Sequence, residues 1–439
     1  MRTTKRTSLI PVLVLILAAL GPPAWAGPEN ETGLAGRVAA VLARFPAPDP
    51  ASKNALCAEL VRLGPAAVMD ICGRLLPPGA GDDSAAEFAL NGLAVHVKRG
   101  GAEGERRMFA AALVKSLGQA VDKEVKAFLI SQLQLAGGDE SVKPLAEYLS
   151  DERLAEPAAQ ALLAIRAKDT DRLFLKVFGI APAASKVTLI KAFGELHSRR
   201  AVKKLLPLAA NGDEAIRQAA LFALAEIGDP AAEPALARVR VASPLQERSL
   251  APILYLRFAR RLVESGQPTA GLRIARALFK THTAAGENAV AGQALALIVQ
   301  VLGERALPDL LAAADSPDTV LRGQALRLAA TLPGPEVTAA WVEKARVGGP
   351  DLQSATIAML EARGDKAAIP FILESLRSGD PSVRLTAIPA AVTLAGKDSV
   401  PAILPFFGSD DEAEILAAKN ALLLFPAAIA IPETLKILA

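Results

Sequence analysis

Asp213-Glu214-Ala215-Ile216-Arg217, followed by Ala220, Leu221, Leu224, Ile227, Gly228 and Asp229 and then by Pro234 and Leu236, is the clearest copy of a segment that recurs along this chain. Copies begin at Asp122, Asp151, Pro182, Asp213, Pro244, Glu287, Asp318, Gly349, Asp380 and Asp411, with an earlier one at Asp49 and a blurred one near Asp82. From Asp122 onward the spacings are 29, 31, 31, 31, 43, 31, 31, 31 and 31 residues. A fixed period of this size marks a row of stacked supersecondary units.

Within a unit the apolar positions fall three, seven, eleven and fourteen residues after the start, as in Ile216, Ala220, Leu224 and Ile227 or Val290, Ala294, Ile298 and Val301. That spacing predicts one stripe of a helix and not strand alternation. A second helix opens with proline at a fixed offset, at Pro234, Pro308, Pro370, Pro401 and Pro432. The proline ring suits a first turn, where no N–H bond is lost. Gly64, Gly228 and Gly364 sit between the two helices, with Gly303 and Gly396 one residue later, as expected for a left-handed helix stop. Each unit therefore reads as a helical hairpin, and a hairpin that buries one side of each helix needs neighbours to close its core.

The Asp-x-x-Val-Arg start, the Ala-x-x-Ala-Leu-x-x-Ile-Gly middle and the Pro-x-Leu second helix resemble HEAT repeats, in particular the short variety of phycocyanobilin lyase subunits and of many bacterial proteins with other functions. The resemblance covers nearly the whole chain after its first residues. It implies an all-α fold, a right-handed α-solenoid (superhelix) of about twelve stacked hairpins of about 31 residues each. It is specific for fold and weak for activity, because the matching residues are those that build the stack.

Composition agrees. Hydrophobic residues make up 51% of the chain but aromatics only 4%, which favours close packing of small side chains over a long row. A single globular core of 439 residues would be unusual, whereas a solenoid has no such size limit, so one elongated domain is expected over residues 49–439.

Residues 1–26 have the layout of a secretory signal peptide: Arg2, Lys5 and Arg6, an apolar run from Leu9 to Leu20, then Ala24-Trp25-Ala26 before Gly27. The run holds 12 residues, short of the roughly 20 that span a membrane. No cysteine follows the junction, and no twin arginine precedes the run. Cleavage is expected between Ala26 and Gly27, leaving residues 27–48 as an N-terminal cap segment and the mature chain exported, periplasmic or extracellular.

The mature chain carries 46 basic and 46 acidic residues. That balance argues against nucleic acid as the main partner. The charge is unevenly placed: residues 186–280 hold 16 Lys and Arg against 8 Asp and Glu, a net of +8, whereas residues 27–185 carry −2 and residues 281–439 carry −6. The basic middle contains the 43-residue spacing, an insertion near residues 260–283 around Val263-Glu264-Ser265-Gly266-Gln267-Pro268-Thr269, flanked by Arg257, Arg260, Arg261, Arg273, Arg276 and Lys280. Insertions in repeat arrays form loops or lengthened helices on one face, often the binding face. These six residues are therefore a candidate patch for an anionic protein surface, the alternative being arginines that are solvated or paired with neighbouring acids. A second insertion near 96–108, with Gly100, Gly101 and Gly104 between Lys98 and Met108, reads as a flexible loop.

Seven units carry a basic residue four places after the start: Lys53, Lys126, Lys186, Arg217, Arg248, Arg322 and Arg384. The recurring pairs Asp213 and Arg217, Asp318 and Arg322, and Asp380 and Arg384 read as a structural ladder. The Asp caps its own helix and, as the resemblance implies, reaches a basic side chain of a neighbouring unit. His96, His197 and His282 fall in different units, none at ligand spacing from another, and there is no Gly-x-Ser-x-Gly elbow. No catalytic residues, metal site or cofactor are expected, and the chain reads as a non-enzyme.

Cys57 and Cys72 occupy the offsets of Leu221 and Leu236, which face the core of one hairpin, on either side of Gly64. In an oxidising compartment they are a candidate disulfide, closing a loop of about 15 residues and contributing about 3 kcal/mol; the alternative is a pair of free thiols packed as small hydrophobes. At the other end, Leu422-Leu423-Leu424-Phe425, with Ile429, Ile431, Leu435, Ile437 and Leu438 beyond, leaves little that resembles a polar cap. Those residues either meet a partner or form an ordinary inward stripe.

Two function classes follow. The first is an exported scaffold that binds one or more proteins along the solenoid surface. The second, implied by the resemblance to phycocyanobilin lyases, is a subunit that positions a bilin for attachment to an apoprotein; the signal-like leader and the lack of a His, Tyr and Trp cluster count against it.

Overall fold

The computed structural model describes residues 33–211, 213–242 and 245–425. The signal-like residues, the Ala26–Gly27 junction, Pro244, Pro432, the Arg248 side chain and the apolar tail from residue 426 lie outside the described residues. Among those described, every regular element is helical and there is no strand. The chain divides into two compact units, Met1–Ala192 and Phe193–Ala439, the division falling within the helix Ala183–Glu195.

The repeat starts are helix starts. Asp49, Asp122, Asp213, Asp318, Asp380 and Asp411 each accept a hydrogen bond from a backbone N–H of the first turn of their own helix, at 2.8–2.9 Å for the shortest bond of each. A cap of this kind satisfies a donor that the helix leaves unpaired and contributes about 1 kcal/mol. Asp82 does the same for Ser84 at 3.0 Å.

Within each of the two compact units the first helices of successive hairpins pack side by side, and the second helices pack on the first helix of the next hairpin. The core is built from offsets seven, eight and eleven: Ala220, Leu221 and Leu224 recur as Ala294, Leu295 and Ile298, as Leu129, Ile130 and Leu133, and as Ala387, Ile388 and Ala391, all buried. Offset three varies, with Ile216 and Val290 half-buried and Leu321 and Val383 fully buried. Alanine at offset seven lets neighbouring first helices approach closely, while each buried leucine or isoleucine beside it adds about 1.5–3 kcal/mol of burial.

The second helices open one turn earlier than the prolines suggest. A 3₁₀ turn comes first, at Pro230–Ala232, Gly303–Ala306, Lys366–Ala368 and Gly396–Ser399, and Pro234, Pro308, Pro370 and Pro401 then occupy the second position of the α-helix. Asp229 and Asp365 cap two of these turns. Gly228 and Gly364 end their first helices in the left-handed region at φ 66° and 71°, and Arg166 and His197 take the same place in their units at φ 54° and 47°.

Polar side chains also reach one repeat along the row. Arg106 joins Glu140 at 2.7 Å and the Ala136 carbonyl at 2.9 Å. Arg363, whose side chain is only 5% exposed, reaches back to donate to the carbonyls of Ala329, Leu332 and Gly334. It thereby satisfies acceptors left open where helix Thr319–Thr331 ends. Glu414, 3% exposed, accepts from Arg384 of the preceding hairpin and from the Ser409 hydroxyl.

Both insertions lengthen helices. The extra residues of the 43-residue unit extend its first helix to Leu245–Glu264, 20 residues, and its second to Pro268–Ala284, 17 residues, joined by a short turn at Gly266. The loop expected between Lys98 and Met108 is corrected in part: residues 97–102, Gly100 and Gly101 among them and the latter at φ 81°, form a non-helical turn, and from Glu103 the stretch is the helix Glu103–Gln119. Glu103 and Glu105 favour a helix N-terminus, Arg106 and Arg107 pair with Glu103, and Arg99 pairs with Glu105, so Gly104, the one of the three glycines inside the helix, costs it little.

Two substitutions test this geometry. A Cβ on Gly271 would stand 2.5 Å from the Ala259 carbonyl oxygen and 2.6 Å from Val263 Cγ2, so Gly271→Ala is expected to cost about 1–3 kcal/mol by prying the two long helices apart. His197→Gly removes a Cβ from the left-handed region, which costs about 1–2 kcal/mol, and should stabilise by about half that once glycine's greater freedom in the unfolded chain is offset. Urea midpoints should move in opposite directions for the two variants.

Candidate partner-binding surface

The six basic residues singled out around the insertion lie on the two lengthened helices, three on Leu245–Glu264 and three on Pro268–Ala284. Four of them meet carboxylates. Arg257 and Arg261 both donate to Glu226 of the preceding first helix, Arg261 through Nη2 at 2.9 Å, and Arg261 also reaches Glu264 at 2.6 Å. Arg273 holds Glu233 at 2.6 Å, to which the Tyr255 hydroxyl also donates. Arg276 holds Asp309 at 2.9 Å, one repeat further on. Arg260 and Lys280 are exposed and form no ion pair among the described residues.

Glu226 and Arg257 stand at the same offset, thirteen, in successive units, so stacking alone brings the opposite charges together. Burial alone would raise the Glu226 carboxyl, but Arg257 and Arg261 outweigh it and hold it below the usual carboxylate range. The guanidinium of Arg257 also lies over the Phe222 ring, 4.6 Å from its centroid. Beside it is an open cleft of about 310 Å³ lined by Glu226, Ile253, Leu256, Arg257, Arg260 and Arg261.

Residues that the sequence reading passed over share this face. Phe222 is 43% exposed, and Leu250 and Ile253 are each 48% exposed. Phe222 and Ile253 both stand nine residues after their unit starts, off the buried offsets seven, eight and eleven. A large apolar residue at an offset that faces away from the core was the signal available for them.

The residues of the repeat ladder do structural work. Asp213, Asp318 and Asp380 cap their own helices. Arg384 reaches the next hairpin, but its partners are Glu414 and the Ser378 carbonyl and not a capping Asp. Arg217 and Arg322 are half-buried on helices Glu214–Ile227 and Thr319–Thr331. A link from a capping Asp to the preceding unit does form between Asp151 and Lys123, at 2.8 Å.

Residues 181–251 match the family model for HEAT repeats. That segment is similar to HEAT repeats, and the helical hairpins on either side of it follow the same period. No curated protein matches its sequence. Among solved structures it is similar to Kap95p in its complex with RanGDP, with 15% identity over 91% of this chain and 62% of that one and a TM-score of 0.48. It is also similar to yeast importin-β, with 14% identity over 88% and 61% and a TM-score of 0.45. For human deoxyhypusine hydroxylase the figures are 19% identity over 64% and 95%, with a TM-score of 0.25. The chain spans about three fifths of the importin chains it resembles. Nothing about activity or partners follows from likeness at this level.

The candidate disulfide is corrected: Cys57 and Cys72 are free, buried thiols. Each meets a different helix of the next hairpin. Cys57 Sγ stands 3.0 Å from where a Cβ on Gly92 would be, and Cys72 lies beside the Ser116 hydroxyl. Burial pushes both thiols up to about 11, so they pack as small hydrophobes. The histidines are dispersed as well. His282 is buried with Nδ1 2.6 Å from Glu287, His96 is buried and held below its usual range by burial, and His197 is exposed at a helix stop. Among the described residues no three His, Cys, Asp or Glu side chains form a group that could hold a metal, and no helix is long and apolar enough to cross a membrane.

The Glu226 pair sets a pH signature. A carboxyl depressed in the folded chain contributes stability that is complete above the unfolded carboxyl's value, about 4.3, and is lost as pH falls through the folded value. Glu226→Gln is expected to cost about 1–3 kcal/mol at neutral pH. In urea melts the gap between variant and wild type should close in acid.

Proposed function

We propose that this HEAT-repeat chain is an exported, non-catalytic scaffold that holds a protein partner on the exposed side of its first helices, at the hairpins beginning at Asp213 and Pro244. The observation that carries the reading is the exposure of Phe222, Leu250 and Ile253 on two adjoining helices, beside a cleft walled by Arg257 and Arg260. Apolar and aromatic side chains grouped on a surface and bordered by arginine are what protein interfaces are made of. Export is supported by the leader-like residues 1–26. The bilin-positioning alternative has no supporting observation of its own.

The test is capture from the native envelope or secreted fraction by the chain beginning at Gly27, beside a Phe222→Asp, Ile253→Asp double variant. A partner that the wild type retains and the variant loses at least tenfold, about 1.4 kcal/mol, is expected. A partner held equally by both would move the site elsewhere on the row, and no partner for either would overturn the scaffold reading.

A further inference from the structure

The chemistry of the partner can be read from the same surface, an inference that rests on the protein-binding reading above. Leu250, Ile253, Arg257 and Arg260 are spaced three, four and three residues apart on helix Leu245–Glu264 and so form one stripe along it. Phe222, on the neighbouring helix, is joined to that stripe where Arg257 covers its ring. The stripe thus begins apolar and ends cationic.

Its charges are not equivalent. Arg257 and Arg261 are held by Glu226, and Arg261 again by Glu264, so these guanidinium groups are fixed before any partner arrives. Arg257, Arg260 and Arg261 against Glu226 and Glu264, which also lines the cleft, leave it with a net charge of +1. The unmatched charge is Arg260, exposed at the cleft edge. At about 310 Å³ the cleft is at the low end of ligand-pocket size; it has room for side chains of a segment and not for a folded domain. In the unit that holds it, residues 193–280 carry 14 Lys and Arg against 8 Asp and Glu, a net of +6, a balance that draws acidic partners and repels basic ones. A nucleic acid fits less well, because Arg257, Arg261, Arg273 and Arg276 are already committed to carboxylates and phosphate contacts need free cations.

We propose that the surface formed by helices Glu214–Ile227 and Leu245–Glu264 binds an acidic amphipathic segment of a partner protein, whose apolar side covers Phe222, Leu250 and Ile253 and whose carboxylate pairs with Arg260. Helix-in-groove recognition of this type reads apolar anchors at three- and four-residue spacing. The fixed arginines supply orientation, and Arg260 supplies the charge discrimination.

The experiment titrates the full mature chain with three fluorescent synthetic helical peptides: one with leucines at anchor spacing flanked by glutamates, the same peptide with lysine for glutamate, and the glutamate peptide with serine for leucine. The protein is used as wild type, Ile253→Asp, Arg260→Glu and, as a remote control, Arg377→Glu, each checked for unchanged helicity by circular dichroism. The glutamate peptide is expected to bind wild type and control alike and to weaken about tenfold or more with either surface variant, a loss typical of a central interface residue. Arg260→Glu should in turn gain affinity for the lysine peptide. Equal binding of the glutamate and lysine peptides to wild type, binding of the glutamate peptide that is indifferent to Arg260→Glu, or no binding of any peptide overturns the proposal. So does a dimer of the free chain, seen by sedimentation, that Ile253→Asp dissolves, since the occupant would then be a second copy. Loss of a captured native partner in the Phe222→Asp, Ile253→Asp variant, together with charge-indifferent peptide binding, would leave the scaffold reading standing while removing the acidic partner.

Discussion

A hairpin of about 31 residues cannot bury both of its helices on itself, and everything else in this chain follows from that shortfall. The stripe at offsets seven, eight and eleven is covered by the next hairpin, so Leu224 and Ile298 belong to cores shared between units. The polar side chains obey the same rule. Arg106, Arg257, Arg363 and Arg384 all find their partners about one repeat away. Breaking such a pair leaves a neighbour's carboxylate or carbonyl unsatisfied, so damage is passed to the adjoining unit.

The same constraint says where function has freedom to reside. Positions used for capping, for the left-handed stop and for the shared core are fixed by the stack, which is why Asp213 or Asp380 carries no information about a partner. Offsets nine and thirteen of the first helices face away from the core, and there the units differ. Phe222 and Ile253 fill offset nine in two adjoining hairpins, where Arg327 and Pro389 stand elsewhere. The lengthened helices of the 43-residue unit add further surface and hold Arg260 and Arg261 on it.

Much of this was legible before any coordinates. The period gave the unit boundaries because an Asp cap and an apolar stripe are local requirements, and a short stretch of sequence contains both. The αL stop was legible at Gly228 and Gly364 but not at Arg166 or His197, non-glycine residues that take the same left-handed position while exposed. The loop expected near Gly100 and Gly104 holds at Gly100 and Gly101 but stops at Glu103, where side-chain pairs of Glu103, Arg106 and Glu140, the last in another hairpin, favour the helix. The cysteine pair failed because offset in a unit fixes depth but not which neighbouring helix a side chain meets. In the basic patch, net charge was readable; the commitment of four arginines to Glu226, Glu233 and Asp309 depends on register between helices.

The central claim is that stability is exchanged between adjacent hairpins and not held by one global core. Hydrogen exchange of the full chain carrying Leu360→Ala measures this directly, since Leu360 is fully buried in the hairpin that begins at Gly349. The account predicts lost protection in that hairpin and in its neighbours beginning at Asp318 and Asp380, with helix Glu214–Ile227 unchanged. A uniform loss of protection along the whole chain would contradict it.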